Sequence, residues 1–163
     1  MAGPVRTTAA VVLAAVTAWP AWADTGRSTG RPVPRFVSLS ADTANLRAGP
    51  GKRYPVEWVY KRARLPLKIV GEFGAWRRVR DWSGTQGWMH SALLSGRHTV
   101  QVLGDRDRVL RESPRADAAP VARLAPEVIG DLDRCRSGWC RASFAELTGW
   151  VPRRALYGAP VGD

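Results

Sequence analysis

Few residues in this 163-residue chain combine the types and spacings that chemistry needs. The two cysteines, Cys135 and Cys140, sit in the stretch CRSGWC with four residues between them. A thiol redox motif would read C-x-x-C, and a zinc site would need two further ligands. Only His90 and His98 could supply those, and both lie far upstream. A two-residue turn at Ser137-Gly138 gives the cysteines another role. It sets Arg136 opposite Trp139 and Cys135 opposite Cys140. The second pair out from such a turn is a narrow one, with Cα atoms about 4.5 Å apart, inside the range a disulfide tolerates. The spacing therefore predicts a Cys135–Cys140 disulfide and no metal site. Catalytic patterns are missing: no nucleophile elbow, zinc-protease helix or phosphate loop occurs, and neither histidine has an acid at a telling spacing. Asp131, Asp133 and Glu127 are read as solvated charge in loops rather than paired catalytic carboxylates. No cofactor is expected.

A disulfide needs an oxidising compartment, and the start of the chain points to one. Residues 1–26 read MAGPVRTTAAVVLAAVTAWPAWADTG: one early arginine, an apolar run, then the small-x-small site Ala21-Trp22-Ala23. This is the layout of a signal peptide cleaved after Ala23. The apolar run is shorter than the ~20 residues a spanning helix requires, and Pro20 interrupts its end. The expected location is periplasmic or secreted, with no membrane-spanning segment. Net charge is +11, and without residues 1–23 the balance is 24 basic against 14 acidic residues, +10. Lysine occurs only at 52, 61 and 68; the rest of the positive charge is arginine. Such a surface suits an anionic partner: an acidic wall polymer, lipid phosphate or an acidic protein. Export argues against nucleic acid.

The elements that would position these residues come in two copies. FVSLSAD from Phe36 matches TVQVLGD from Thr99, and NLRAGP from Asn45 matches VLRESP from Val109. IVGEFGAWRRVRD matches IGDLDRCRSGWCRAS, and GWMHSALL from Gly87 matches GWVPRRAL from Gly149. The offset drifts only from 64 at Leu46/Leu110 to 62 at Trp88/Trp150. The organisation read from this is a signal peptide at 1–23, a flexible Gly/Pro/Ser/Thr-rich arm at 24–35, one unit at 36–97, a second at 98–158, and a tail at 159–163. Each unit is expected to be all-β: runs such as VEWVY, LPLKIVGEF and WRRVRD are short, rich in β-branched and aromatic residues, and bounded by turn formers. HSALL and RRAL would each make a single helical turn. Several short strands in so few residues imply a small barrel. In the first copy the rung aligned with the cysteines holds Glu72 and Arg77, across a Gly74-Ala75 turn.

ANLRAGPG, followed by AWRRVRD and then Gly-Trp, resembles the bacterial SH3-like domain. The first unit carries the pattern at Asn45, Arg47, Gly49, Pro50, Trp76, Val79, Gly87 and Trp88. The second departs from it, with Val109 for Asn and Ser113 for Gly and an Ala-rich loop after Pro114. The resemblance implies two tandem SH3-like β-barrels and recognition of cell wall or protein, with the first unit carrying the ligand surface.

Trp76/Trp139 and Trp88/Trp150 recur at matched positions and are read as packing. Tyr54, Trp58 and Trp82 have no aromatic counterpart in the second unit. They are the candidate ligand contacts, since aromatic clusters in grooves hold extended ligands on SH3-type surfaces. Arg62, Arg64, Arg77 and Arg78 are candidate anion contacts beside them. The function expected is an exported, non-catalytic binding module for cell-wall peptidoglycan or an envelope protein. An arginine-driven binder of anionic lipid or polymer surfaces is the alternative, and a small wall hydrolase the weaker one.

Overall fold

A computed structural model describes residues 24–160. The proposed signal peptide and the last three residues of the tail lie outside the described residues. Strands form where the sequence alternates, and turns where Gly, Pro, Asp or Ser interrupt it. A small hairpin, β1 (Asp24–Thr25) and β2 (Pro32–Val33), comes first. The first unit then runs β3 (Arg35–Leu39), β4 (Ala44–Arg47), β5 (Val56–Tyr60), β6 (Pro66–Phe73), β7 (Trp76–Arg80), β8 (Gln86–His90) and β9 (Leu94–Ser95). The second runs β10 (Thr99–Val102), β11 (Arg108–Arg111), β12 (Pro120–Leu124), β13 (Ile129–Arg136), β14 (Trp139–Phe144), β15 (Leu147–Pro152) and β16 (Leu156–Tyr157). One 3-10 turn precedes the last strand of each unit, at Ser91–Leu93 and Arg153–Ala155.

The sequence repeat is a repeat of topology. The two antiparallel sheets have the orders β5-β4-β8-β7-β6-β3-β9 and β12-β11-β15-β14-β13-β10-β16. Each strand of the second is the strand seven earlier in the first. Register repeats as well: Leu46 faces Trp58 and Leu110 faces Ala122, while Arg47 faces Trp88 and Arg111 faces Trp150. Register shifts fall at matched places, Leu46/Arg47 with Leu110/Arg111, and Ile69/Gly71 with Leu132/Arg134. An extra residue on one strand bends and twists the ladder, which lets such short strands curl round a core.

Inward positions then fill two cores. Leu39, Leu46, Leu67, Ile69, Val79 and Met89 form the first; Val100, Val102, Leu110, Ala142 and Val151 with Cys140 form the second. The Gly-Trp motif has a steric cause in both. A Cβ on Gly87 would lie 2.6 Å from the Leu46 side chain and 3.0 Å from the Arg47 carbonyl oxygen. On Gly149 it would lie 2.7 Å from both Leu110 and the Arg111 oxygen.

The hairpin turns fall where expected. Glu72 faces Arg77, and Cys135 faces Cys140. The cysteines form a disulfide, with Cα atoms 4.0 Å apart. Ser137 and Gly138 both take positive φ, 47° and 76°, as a type I′ turn demands.

Residues 24–35, expected as a flexible arm, are instead folded onto the first unit. The Glu72 carboxylate accepts from the Thr29 N–H at 3.0 Å, the Ser28 N–H at 3.2 Å, the Thr29 hydroxyl at 2.8 Å and the Arg35 guanidinium at 2.6 Å. Composition alone suggested a mobile segment; a single buried carboxylate with several donors outweighs it.

The units also meet. Ile129 of the second packs on the first core. The Ser38 and Thr99 hydroxyls lie 2.6 Å apart in the junction, each also within 2.8 Å of a carbonyl, those of Arg97 and Arg64. Tyr157 donates to the Arg80 carbonyl and meets the Phe36 ring edge to face.

Candidate functional site

Tyr54, Trp58 and Trp82 occupy three different places. Trp58 sits on β5, the end strand of its sheet, and is 55% exposed. Tyr60 shares its face of the strand but is buried, donating its hydroxyl to Asp81. Tyr54 lies over Gly49, where a Cβ would come 2.5 Å from its ring, and the Arg53 guanidinium stacks 5.2 Å from the ring centre. This explains a paired change: where the second unit has Ser113 for Gly49, it has Ala118 for Tyr54. Trp82 lines a small crevice with Gln101, Leu103 and Gly104 of the second unit. Tyr54, Trp58 and Trp82 thus belong to a loop, a sheet edge and the junction.

The arginines divide similarly. Arg77 is buried, and it donates to the Gly74 and Trp76 carbonyls at 2.7 and 2.9 Å while its guanidinium approaches Glu72. It holds the hairpin and does not reach an external anion. Arg64 pairs with Asp131 at 2.8 Å, and Arg62 stands 3.9 Å from Glu127. Arg78 is exposed and has no ion pair among the described residues. Asp131 and Asp133, expected in loops, lie on β13. Each meets two arginines, Arg64 and Arg97 for Asp131, Arg134 and Arg141 for Asp133. The carboxylates are thus ion-paired structure.

A different site emerges across β4, β8 and β7 of the first sheet and the matching strands of the second. In the first unit, Trp76 and His90 face each other on one rung, their rings edge to face at 5.4 Å. With Asn45 and Lys52 they line a groove of about 280 Å³. His90 accepts the Ala92 N–H at Nδ1, so its proton is on Nε2. Asn45 is exposed, with no hydrogen bond to its amide among the described residues. Arg47 spends its guanidinium on the Lys52 and Tyr54 carbonyls, shaping the lip.

The second unit repeats the groove at the same rung, with Trp139 facing Pro152 and a volume of about 540 Å³. Arg111 again clamps its loop, through the Ala118 carbonyl at 2.6 Å. The chemistry differs: Val109 replaces Asn45, Ala116 replaces Lys52 and Pro152 replaces His90. Only the first groove sets amide, ammonium and imidazole donors round a tryptophan, and no carboxylate, serine or cysteine lines it. That set, with the Thr43 hydroxyl beside it, can bind and orient a polar or anionic ligand.

Reading Trp76 and Trp139 as packing is corrected by these grooves: both are half-buried and line them. Trp150 is buried as expected, and Trp88 is half-buried. The signal for the site was present in the repeat, since each Trp76/Trp139 position lies beside residues that differ between copies. Asn45 and His90 were legible only as part of the repeated pattern and as a histidine without a nearby acid.

Among the described residues, no helix is long and apolar enough to cross a membrane. In comparisons with known proteins, a family model described as "Bacterial SH3 domain" matches residues 40–96 and 106–158. The Bacillus subtilis (strain 168) protein named "Putative N-acetylmuramoyl-L-alanine amidase YrvJ" is 29% identical over 124 residues, 69% of this chain. The match spans about a quarter, 24%, of that relative's length. The solved structures of NlpC2 and NlpC1 from Trichomonas vaginalis align at 12% identity with TM-scores of 0.35 and 0.36. They cover 76% and 81% of this chain and 48% of each of theirs.

Proposed function

Since the chain belongs to the bacterial SH3 domain family, in two tandem copies, we propose that it is an exported, non-catalytic module that binds cell-wall peptidoglycan through the first-unit groove. One observation carries this reading: the same groove recurs in both units, and only the first keeps Asn45, Lys52 and His90 beside its tryptophan. An indole beside hydrogen-bond donors suits a ligand with apolar ring faces and carboxylate or amide oxygens, as glycan and stem peptide provide. The amidase relative supports a wall setting. The signal-peptide reading of residues 1–23 agrees with it, and so does a division into SH3-like units at 36–97 and 98–158. An envelope protein is the other partner that this groove could take.

Co-sedimentation with purified insoluble peptidoglycan tests the proposal. Asn45→Ala and His90→Ala are expected to weaken retention at moderate salt, while Val109→Ala in the second groove leaves it unchanged. An arginine-driven surface binder behaves differently. Its retention falls steeply above ~0.15 M salt, where screening is short-ranged, and it ignores Asn45→Ala. Release of soluble fragments from the wall by the full chain would instead establish a hydrolase.

A further inference from the structure

The two units treat the same sheet edge differently. β5 and β12 each end their sheet, paired only with β4 and β11. An end strand leaves a row of backbone N–H and C=O groups without a strand partner, and proteins ordinarily blunt it with proline, charge or small side chains. β12 is blunted in this way at three rungs: Pro120 faces Arg111, Ala122 faces Leu110 and the exposed Arg123 faces Val109, with Val121 the one exposed large apolar side chain of the strand. β5 has Val56 facing Arg47 and Trp58 facing Leu46 at those rungs. Val56, Trp58 and Val59 are 41%, 55% and 41% exposed. The fold does not require these residues, because the second copy builds the same rungs without them.

Charge selects what covers this edge. The stretch reads KRYPVEWVYKR, with exposed Lys52 and Arg53 before the strand, exposed Lys61 and Arg62 after it, and Glu57 as its one acid. Lys52 and Lys61 have no ion pair among the described residues, and Arg62 stands 3.9 Å from its nearest acid. A second copy pairing antiparallel about Trp58 would bring the Arg53 end of one strand to the Arg62 end of the other, and like charges facing across strands destabilise pairing. An extended segment with acids at both ends meets cations at both. We infer that β5 receives, as an added strand, an extended segment of a partner protein that is apolar in its middle and acidic at its ends. This surface goes beyond the peptidoglycan groove, with which it shares only Lys52.

The test uses the full chain and a fluorescein-labelled peptide, Glu-Glu-Val-Thr-Val-Thr-Val-Glu-Glu, with a Lys-ended counterpart. The acidic peptide is expected to bind and the Lys-ended one not. V56P/W58A gives the first edge the residues of the second at the same rungs, so folding is expected to hold, and affinity should drop about tenfold or more. K61E/R62E should exchange the preference between the two peptides. His90→Ala, which weakens wall retention, should leave peptide binding unchanged. If V56P/W58A unfolds, the unaltered protein still decides the matter: peptide should slow amide exchange across Val56–Tyr60. Equal binding of both peptides, undiminished binding by folded V56P/W58A, or no added protection of β5 would each overturn the inference. A dimer that V56P/W58A dissociates would overturn it too, by making a second copy the occupant.

Discussion

Tyr60 donates its hydroxyl to Asp81 across 2.9 Å, both side chains are buried, and the matched positions in the second unit are Leu124 and Phe144. Asp81 also accepts from the Ser83 N–H and hydroxyl and the Thr85 N–H, so it ties the β7–β8 turn to the core. Burial first, and the Asp81 bond second, push the Tyr60 phenol well above its ordinary range, so it stays a donor at neutral pH. Tyr60→Phe should cost about 1 kcal/mol, and Asp81→Ala, which strands several donors, roughly 2–3 kcal/mol, read by urea denaturation.

Reduction of Cys135–Cys140 should destabilise the second unit by about 2 kcal/mol, as the loop-entropy account gives for so short a ring. Amide exchange with and without reductant measures it. Protection should fall first across β13 and β14, while β6 and β7 hold, because their matching rung is closed by Glu72 and Arg77.

Docking of residues 24–35 should depend on acid. Burial raises the Glu72 pKa, but bonds from Arg35, Thr29 and Ser28 outweigh it and hold the carboxyl at about 2, against 4.5 for the free group. A depressed folded-state value stabilises the charged form. The contribution is therefore complete above about pH 4.5 and is lost as pH falls through about 2. Amide shifts of Ser28 and Thr29 should move in that window, and Glu72→Gln should release the segment at neutral pH.

Gly87→Ala and Gly149→Ala should each cost roughly 1–3 kcal/mol, as overpacking a core does. Gly149→Ala should be the worse of the two: its Cβ meets a backbone oxygen at 2.7 Å, whereas at Gly87 the closest contact is a leucine side chain. Thermal melts of the two variants would rank them.

The sequence by itself determined the duplicated all-β architecture and the rungs beside each hairpin turn. A two-residue turn fixes which residues face each other over the next few positions, so Cys135/Cys140 and Glu72/Arg77 follow from spacing alone. The Gly-Trp and Leu-Arg pairs repeated for a local steric reason, the close approach of Gly87 to Leu46 and Arg47 and of Gly149 to Leu110 and Arg111. Only the tertiary structure decided that Asn45, Trp76 and His90 share a groove, because they come from three segments that meet when the sheet curls. It alone set Trp58 at an open edge while Tyr60, two residues on, went to the core. It alone folded residues 24–35 onto Glu72, since the pull of that carboxylate comes from burial and converging donors, which composition does not encode. Hydrophobicity and alternation say which residues pair; where a twisted sheet ends, and what its rim leaves exposed, is settled only once every strand is in place.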